Sequence, residues 1–182
     1  MVMRVATWNM KQAVAPRRPL DDLWRWAEDE IGAEVVVLTE ARVPNSGLPP
    51  GWTALWRAGG IGPRRTWGTV VAARGVELVE VTSVRIGDDT VPLDFSWPGA
   101  VVVADVVCQG VRWATVVGLY GVTVDKDNNS CGHGRYSSTR LLRELTPLFE
   151  SDRGERIVVA GDLNLWPVDV PSIIARLGLV DL

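Results

Sequence analysis

The segment Arg156-Ile157-Val158-Val159-Ala160-Gly161-Asp162-Leu163-Asn164 decides how this chain is read. Its first part is an apolar run of the kind that forms a strand covered on both faces; its second is a turn carrying two polar side chains. Asp162 and Asn164 are two positions apart, so both can face one side of an extended turn just beyond the strand. A carboxylate held there can orient and deprotonate water, and an amide beside it can donate to a nucleophile or a phosphate.

Three more polar signatures end apolar runs in the same way. Thr7-Trp8-Asn9 follows residues 3–6, Glu40 follows 35–39, and Tyr120 follows 114–119. Polar groups at the carboxyl ends of buried strands are rigidly held yet face a cleft, where metal and phosphate chemistry is usually placed. Singly, each has a plainer reading. Asn9 is then a turn residue, Glu40 a solvated loop carboxylate, Tyr120 a core aromatic with its hydroxyl at the surface, and Gly-Asp-x-Asn an ordinary turn. Their order and strand contexts, taken together, carry the site.

At 182 residues the chain has room for one domain with a substantial core. Its composition, 47% hydrophobic and 23% charged, excludes a disordered chain. The net charge of −3 gives no footprint for non-specific DNA binding, so any nucleic-acid contact must be local. Lys occurs only at positions 11 and 126, so the positive charge is nearly all Arg, which can grip phosphate through two parallel hydrogen bonds. Nine Trp are enough that some are expected to line a groove as well as the core. Cys108 and Cys131 make no disulfide framework, and neither has the His or Cys spacing of a zinc site. The chain starts on a strand pattern with no signal stretch, and no apolar run approaches the ~18 residues that span a membrane. A cytoplasmic protein without membrane contact is expected.

Leu20, Leu23, Trp24, Ala27 and Ile31 predict an amphipathic helix lying on a sheet, with Pro19 in its first turn and Asp21 and Asp22 at its positive end. Strands are expected at 53–57, 67–73, 77–85, 100–107 and 112–119, with Gly75 and Gly110 as hairpin turns and 88–98 irregular. Leu141, Leu142, Leu145, Leu148 and Phe149 form one helical face starting near Ser138, and Pro147 interrupts its end. Asp169, Pro171 and Gly178 punctuate a last short helix, after which 179–182 reads as the beginning of a strand. Neither repeat nor linker divides the chain, so 1–182 is expected to be a single domain.

Thr7-Trp8-Asn9, Leu38-Thr39-Glu40, Trp67-Gly68-Thr69-Val70-Val71 with Ala73-Arg74, Tyr120 and Gly161-Asp162-Leu163-Asn164 together resemble the endonuclease/exonuclease/phosphatase superfamily. These are metal-dependent phosphoesterases that include DNase I-like and exonuclease III-like enzymes. The resemblance covers nearly the whole chain. It implies an α/β fold, a four-layer α/β/β/α sandwich of two mainly antiparallel sheets. It also implies a divalent-metal phosphodiester hydrolase, above all a nuclease acting on DNA or RNA, using Mg²⁺ with Mn²⁺ as a substitute. Glu40 and Asn9 then form the metal site, and Asp162, Asn164 and Tyr120 are catalytic. Mg²⁺ takes one or two protein carboxylates and keeps several waters, so neutral Asn9 holds a metal-bound water or a phosphate oxygen. Tyr120 stands where relatives have Tyr or His beside the scissile phosphate.

Two substrate contacts are expected around this centre. Trp166 either stacks a base or sugar at the mouth of the cleft or packs against the following helix. The stretch around Arg135 and Arg140 either caps the helix or touches substrate phosphate. Arg17-Arg18 and Arg64-Arg65 read as solvated loop charges, because neither pair is interleaved with aromatics.

The chain departs from the family pattern in three places. Thr39 precedes Glu40 where relatives more often have Gln. The terminal Ser-Asp-His signature is missing, and the one histidine, His133 in Cys131-Gly132-His133-Gly134, does not match it. Residues 178–182 resemble the segment that leads into further strands, so the domain is expected to be C-terminally shortened, either as a truncated gene product or as a form whose open sheet edge is covered by a homodimer or partner chain. This leaves a weak Mg²⁺-dependent phosphodiesterase, or a catalytically dead member that binds metal, nucleotide or a partner. A phosphoesterase on lipid or small phosphate esters is the nearest rival activity, the substrate determinants lying in loops 43–51 and 122–134.

Overall fold

Successive side chains of a strand point to opposite faces, and the valines show where those faces go. In β2 (Val35–Ala41), Val35 and Val37 enter one apolar cluster while Val36 and Leu38 enter another. In β4 (Gly68–Arg74), Val71 and Ala73 join the first cluster, and Val70 and Ala72 the second. β8 (Val101–Cys108) sends Val102, Ala104 and Val106 into the first, and Val101 and Val103 into a third. The first cluster is therefore a seam between two stacked sheets. The second packs under Leu23 and Trp24 of α1 (Leu20–Trp26). The third packs under α2 (Ser138–Glu144), α3 (Thr146–Glu150) and α4 (Val170–Leu177), through Leu141, Leu142, Leu148 and Ile173. The four layers implied by the sequence are present in this structure, a computed structural model that describes residues 2–12, 19–57, 66–124 and 135–180.

One sheet has the order β1-β2-β4-β3, with β1 at Val5–Asn9 and β3 at Trp52–Trp56. The other has the order β12-β9-β8-β5, with β5 at Glu77–Glu80, β9 at Val111–Tyr120 and β12 at Ile157–Asp162. Each sheet contains one parallel pair, β1 with β2 and β12 with β9, and its remaining pairs are antiparallel. The parallel registers place Asn9 opposite Thr39 and Asp162 opposite Tyr120, so four carboxyl ends finish level. β1 and β12 also lie against each other across the seam. Gly118 of β9 faces the other sheet without a side chain. A Cβ there would stand 2.9 Å from both Thr69 Cγ2 and Val71 Cγ2, and 3.2 Å from Val37 Cγ1.

The expected strand at 77–85 is divided. β5 joins the second sheet, whereas β6 (Ser83–Ile86) pairs with β7 (Asp89–Pro92) in a separate hairpin. Residues 89–92 are thus a strand and not irregular; they are mostly exposed, so they lack the apolar alternation that reveals a strand. Gly75 is a turn but not a hairpin, since it carries the chain from β4 in one sheet to β5 in the other. Local turn chemistry does not encode which strand the chain pairs with next. Gly110 does close the β8–β9 hairpin, where Gln109 and Gly110 both have positive φ, as in a type I′ turn.

The first helix is α-helical to Trp26 and continues as a wider π turn over Ala27–Ile31. The second breaks between Glu144 and Thr146, immediately before Pro147. Residues 179–180 are not a strand: the Leu179 N–H turns back to Ile174 O at 3.1 Å and closes the helix end. Positions 181 and 182 lie outside the described residues. Among the described residues no helix is long and apolar enough to cross a membrane.

Candidate active site

The two parallel pairs bring polar residues from both sheets to one end of the sandwich. Asn9 is the last residue of β1, Tyr120 of β9 and Asp162 of β12. Glu40 comes from a bulge in β2, where pairing with β4 slips between Leu38 and Ala41 and Glu40 takes φ 47°. A bulge re-aims a side chain, and a left-handed glutamate costs of order 1–3 kcal/mol that its surroundings must offset. The backbone continuing from β1 supplies part of that, with Met10 N–H donating to Thr39 O at 2.9 Å and Gln12 N–H to Glu40 O at 3.1 Å.

Side-chain hydrogen bonds then cross the seam twice. Asn9 Nδ2 donates to Asp162 Oδ2 at 2.8 Å and to Glu40 Oε1 at 3.3 Å. The Tyr120 hydroxyl donates to Glu40 Oε1 at 3.1 Å. Asn9 is itself oriented, because its Oδ1 accepts the Lys11 N–H at 2.8 Å and leaves the amide nitrogen facing both carboxylates. Tyr120 is 8% exposed and packs edge-on against Trp67, ring centroids 5.2 Å apart. The bridging amide and phenol are neutral donors, so they orient the carboxylates without neutralising them.

Asn164 secures the turn beyond β12. Its N–H donates to Asp162 Oδ1 at 3.3 Å and its Nδ2 to Gly121 O at 3.0 Å, while Gly121 N–H donates to Asp162 O at 2.8 Å. Only glycine fits at 121, because a Cβ would run into Leu163 O and Ser138 Oγ. Those two atoms are themselves hydrogen-bonded, Ser138 donating. Both Asp162 oxygens therefore have a donor, and the carboxylate is held in one direction.

Asn9, Glu40, Tyr120, Asp162 and Asn164 are thus one connected group, half-buried apart from the more enclosed Tyr120. Trp166 lies beyond the turn and is 69% exposed, so it does not bury itself against α4. Arg135 belongs through its backbone to β11 (Arg135–Tyr136), paired with β10 (Thr123–Val124), and its side chain lies outside what is described. His133, Cys131, Arg17, Arg18, Arg64 and Arg65 lie outside the described residues. Sequence reasoning missed the roles of Gly121 and Lys11. A glycine directly after a strand-ending Tyr was a signal for the first; the second acts through its backbone, which no side-chain pattern reveals.

The donor set is oxygen only, and among the described residues no group of three or more His, Cys, Asp or Glu is placed to hold a metal ion. Two carboxylates at half-exposed strand ends suit a hard cation that keeps several waters, and not the closed nitrogen and sulfur shell of zinc.

No protein-family model matches this sequence, and no curated protein matches it. Solved structures do match. The chain is similar to the endonuclease domain of TRAS1, a telomere-specific non-LTR retrotransposon, at 11% identity and TM-score 0.62, covering 97% of this chain and 71% of that one. It is similar to a humanized D. rerio TDP2 at 15% identity and TM-score 0.52, covering 96% and 66%. It is also similar to ANGEL2, a 2′,3′-cyclic phosphatase solved with adenosine-2′,3′-vanadate, at 14% identity and TM-score 0.55, covering 96% and 57%. All three are members of the endonuclease/exonuclease/phosphatase superfamily. At such identities what they share with this chain is the DNase I-like fold. The chain spans between 57% and 71% of their lengths.

Proposed function

We propose that this chain is a divalent-metal-dependent phosphodiester hydrolase, a nuclease acting on DNA or RNA. The observation that carries the reading is the Asn9 amide nitrogen, which spans a carboxylate from each sheet at 2.8 and 3.3 Å. The neighbours support it, since one is an endonuclease domain and another a 2′,3′-cyclic phosphatase.

Glu40 would hold the cation, Mg²⁺ or Mn²⁺ in its place, with Asn9 beside it; when bound, the cation compensates charge on the phosphoryl oxygens. The chain's own residues do the rest. Asp162, fixed by donors on both oxygens, takes the proton of the attacking water as the water oxygen bonds to phosphorus and the leaving oxygen departs. Tyr120 turns its hydroxyl proton from Glu40 to a phosphoryl oxygen, where negative charge develops. Asn164 keeps the Asp162 turn seated on Gly121.

Release of product from labelled DNA and RNA tests this. Hydrolysis is expected in Mg²⁺ or Mn²⁺ and not in EDTA, and Glu40→Ala or Asp162→Ala should each lower kcat by about 10²–10³-fold. Activity indifferent to both substitutions would rule the site out. Sphingomyelin, inositol phosphates and a 2′,3′-cyclic nucleotide, assayed in parallel, separate a nuclease from a lipid or small-ester phosphoesterase.

A further inference from the structure

The β10–β11 hairpin starts three residues past Tyr120 and leads into α2. Beside it lies a cavity of about 450 Å³ whose lining includes Trp97, Val124, Tyr136, Ser137, Arg140 and Arg143. That volume lies in the range of small-ligand pockets. Its walls combine an open aromatic face with cations. Tyr136 is 41% exposed. The Arg140 guanidinium lies 5.4 Å over the Trp97 ring, and its Nε pairs with Glu144 Oε1 at 3.0 Å. Glu144 also accepts the Ser96 N–H at 3.0 Å, so Arg140 is a cation fixed in place. Arg143 is exposed and makes no ion pair or hydrogen bond with the described residues.

This cavity and the carboxylate group share one framework. Val122 N–H donates to Ser137 Oγ at 3.0 Å and Ser137 N–H to Val122 O at 2.8 Å, while the adjoining Gly121 is bonded to Asp162 and Asn164. Val124 is four residues beyond Tyr120, and four residues of extended chain span at most about 14 Å.

An aromatic face beside guanidinium groups suits a ligand with one planar ring and one anionic group, as a nucleotide has. In a duplex each base face is already covered by its neighbours, so such a platform takes an unpaired base. We propose that this cavity is a subsite for an unpaired nucleotide flanking the scissile phosphate, its base on Tyr136 and its phosphate at Arg143. The chain then prefers single strands over duplex. That the nucleotide flanks the scissile phosphate rests on the phosphodiesterase reading above; the binding chemistry does not.

Fluorescence anisotropy of a short labelled oligodeoxythymidylate, an oligouridylate and a blunt duplex of equal length tests it in EDTA, where nothing is hydrolysed. The single strands are expected to bind more tightly than the duplex, and the two single strands show whether DNA or RNA is favoured. Tyr136→Ala should weaken single-strand binding about tenfold, and Tyr136→Phe should restore it. Arg143→Ala should weaken binding and reduce the slope of log affinity against log salt by about 0.7. Absence of binding, equal binding of duplex, or a Tyr136→Ala variant that binds as the wild type would overturn the subsite. Binding without hydrolysis in Mg²⁺ overturns the activity and keeps the subsite; hydrolysis with binding unchanged in both variants does the reverse.

Discussion

Tyr120 ends a strand of one sheet, Glu40 stands on a bulge of the other, and the phenol of the first donates to the carboxylate of the second at 3.1 Å. With the 2.8 Å bond from Asn9 to Asp162, the seam between the sheets is bridged twice by groups that also make up the candidate site. The site is therefore a property of how the sheets stack, and no single sheet holds it.

Tyr120→Phe keeps the ring against Trp67 and removes only the hydroxyl. Turnover is expected to fall by about 10²-fold if the phenol stabilises a phosphoryl oxygen, while stability falls by only about 0.5–1.5 kcal/mol for one hydrogen bond. Steady-state kinetics beside thermal melting separates the two effects.

Gly121→Ala tests the seat of the turn beyond β12. The new methyl has no space beside Leu163 O and Ser138 Oγ, so the backbone must move and the Asn164 Nδ2 bond to Gly121 O must lengthen. A loss of about 1–3 kcal/mol is expected, with activity reduced even in the fraction that stays folded. Urea unfolding followed by kinetics at matched folded concentration measures both.

Asp105 and Arg153 form a pair remote from the site. Asp105 is 8% exposed, receives Thr115 Oγ1 at 2.6 Å and pairs with Arg153 Nη2 at 3.1 Å. Asp105→Ala leaves Arg153 20% exposed and still paired with Asp152 at 3.3 Å, so it should cost about 1–3 kcal/mol, and an apolar replacement of both less. A double-mutant cycle in urea gives the coupling, and kcat of the folded variants should be unchanged.

Arg4 and Glu34 clamp the opposite end of the β1–β2 pair. The Arg4 guanidinium and its N–H, at 3.1 and 2.8 Å, hold the Glu34 carboxyl down from 4.5 to about 2. Because the folded-state value is depressed, the stabilisation is fully present above the ordinary carboxylate range and is lost as pH falls from about 4.5 towards about 2. The pair is exposed, so the effect is small. Melting temperature against pH should fall less steeply in this window for Glu34→Gln than for the wild type.

Much of this is legible in the sequence. The run at 35–39 ending in Glu40 is a buried strand; the run ending in Gly161-Asp162 is a strand too, but it lies at the edge of its sheet and is half-buried, not covered on both faces, and the carboxyl ends of the two do meet. Burial on both faces writes itself into consecutive valines, and a parallel register needs no special turn residue. What stayed hidden depends on partners distant in sequence. Gly75 looks like any hairpin glycine although the strand after it pairs in the other sheet. The bulge that turns Glu40 uses a residue with no preference for left-handed backbone, so tertiary packing imposes it. The direction of the Asn9 amide is set by the Lys11 N–H, a main-chain donor that every non-proline residue has.

Gly118 acts as a spacer for Tyr120, two residues further along its strand. Because nothing projects from it, β9 can settle close to Thr69 and Val71, and that closeness sets how far Tyr120 must reach to find Glu40. A single methyl at this position would force Thr69 and Val71 of the other sheet to give way, close to the bridges although it touches neither. The gap between the layers is in that sense a dial on the candidate site, and substitutions deep in the sandwich can retune it without altering any residue that meets substrate.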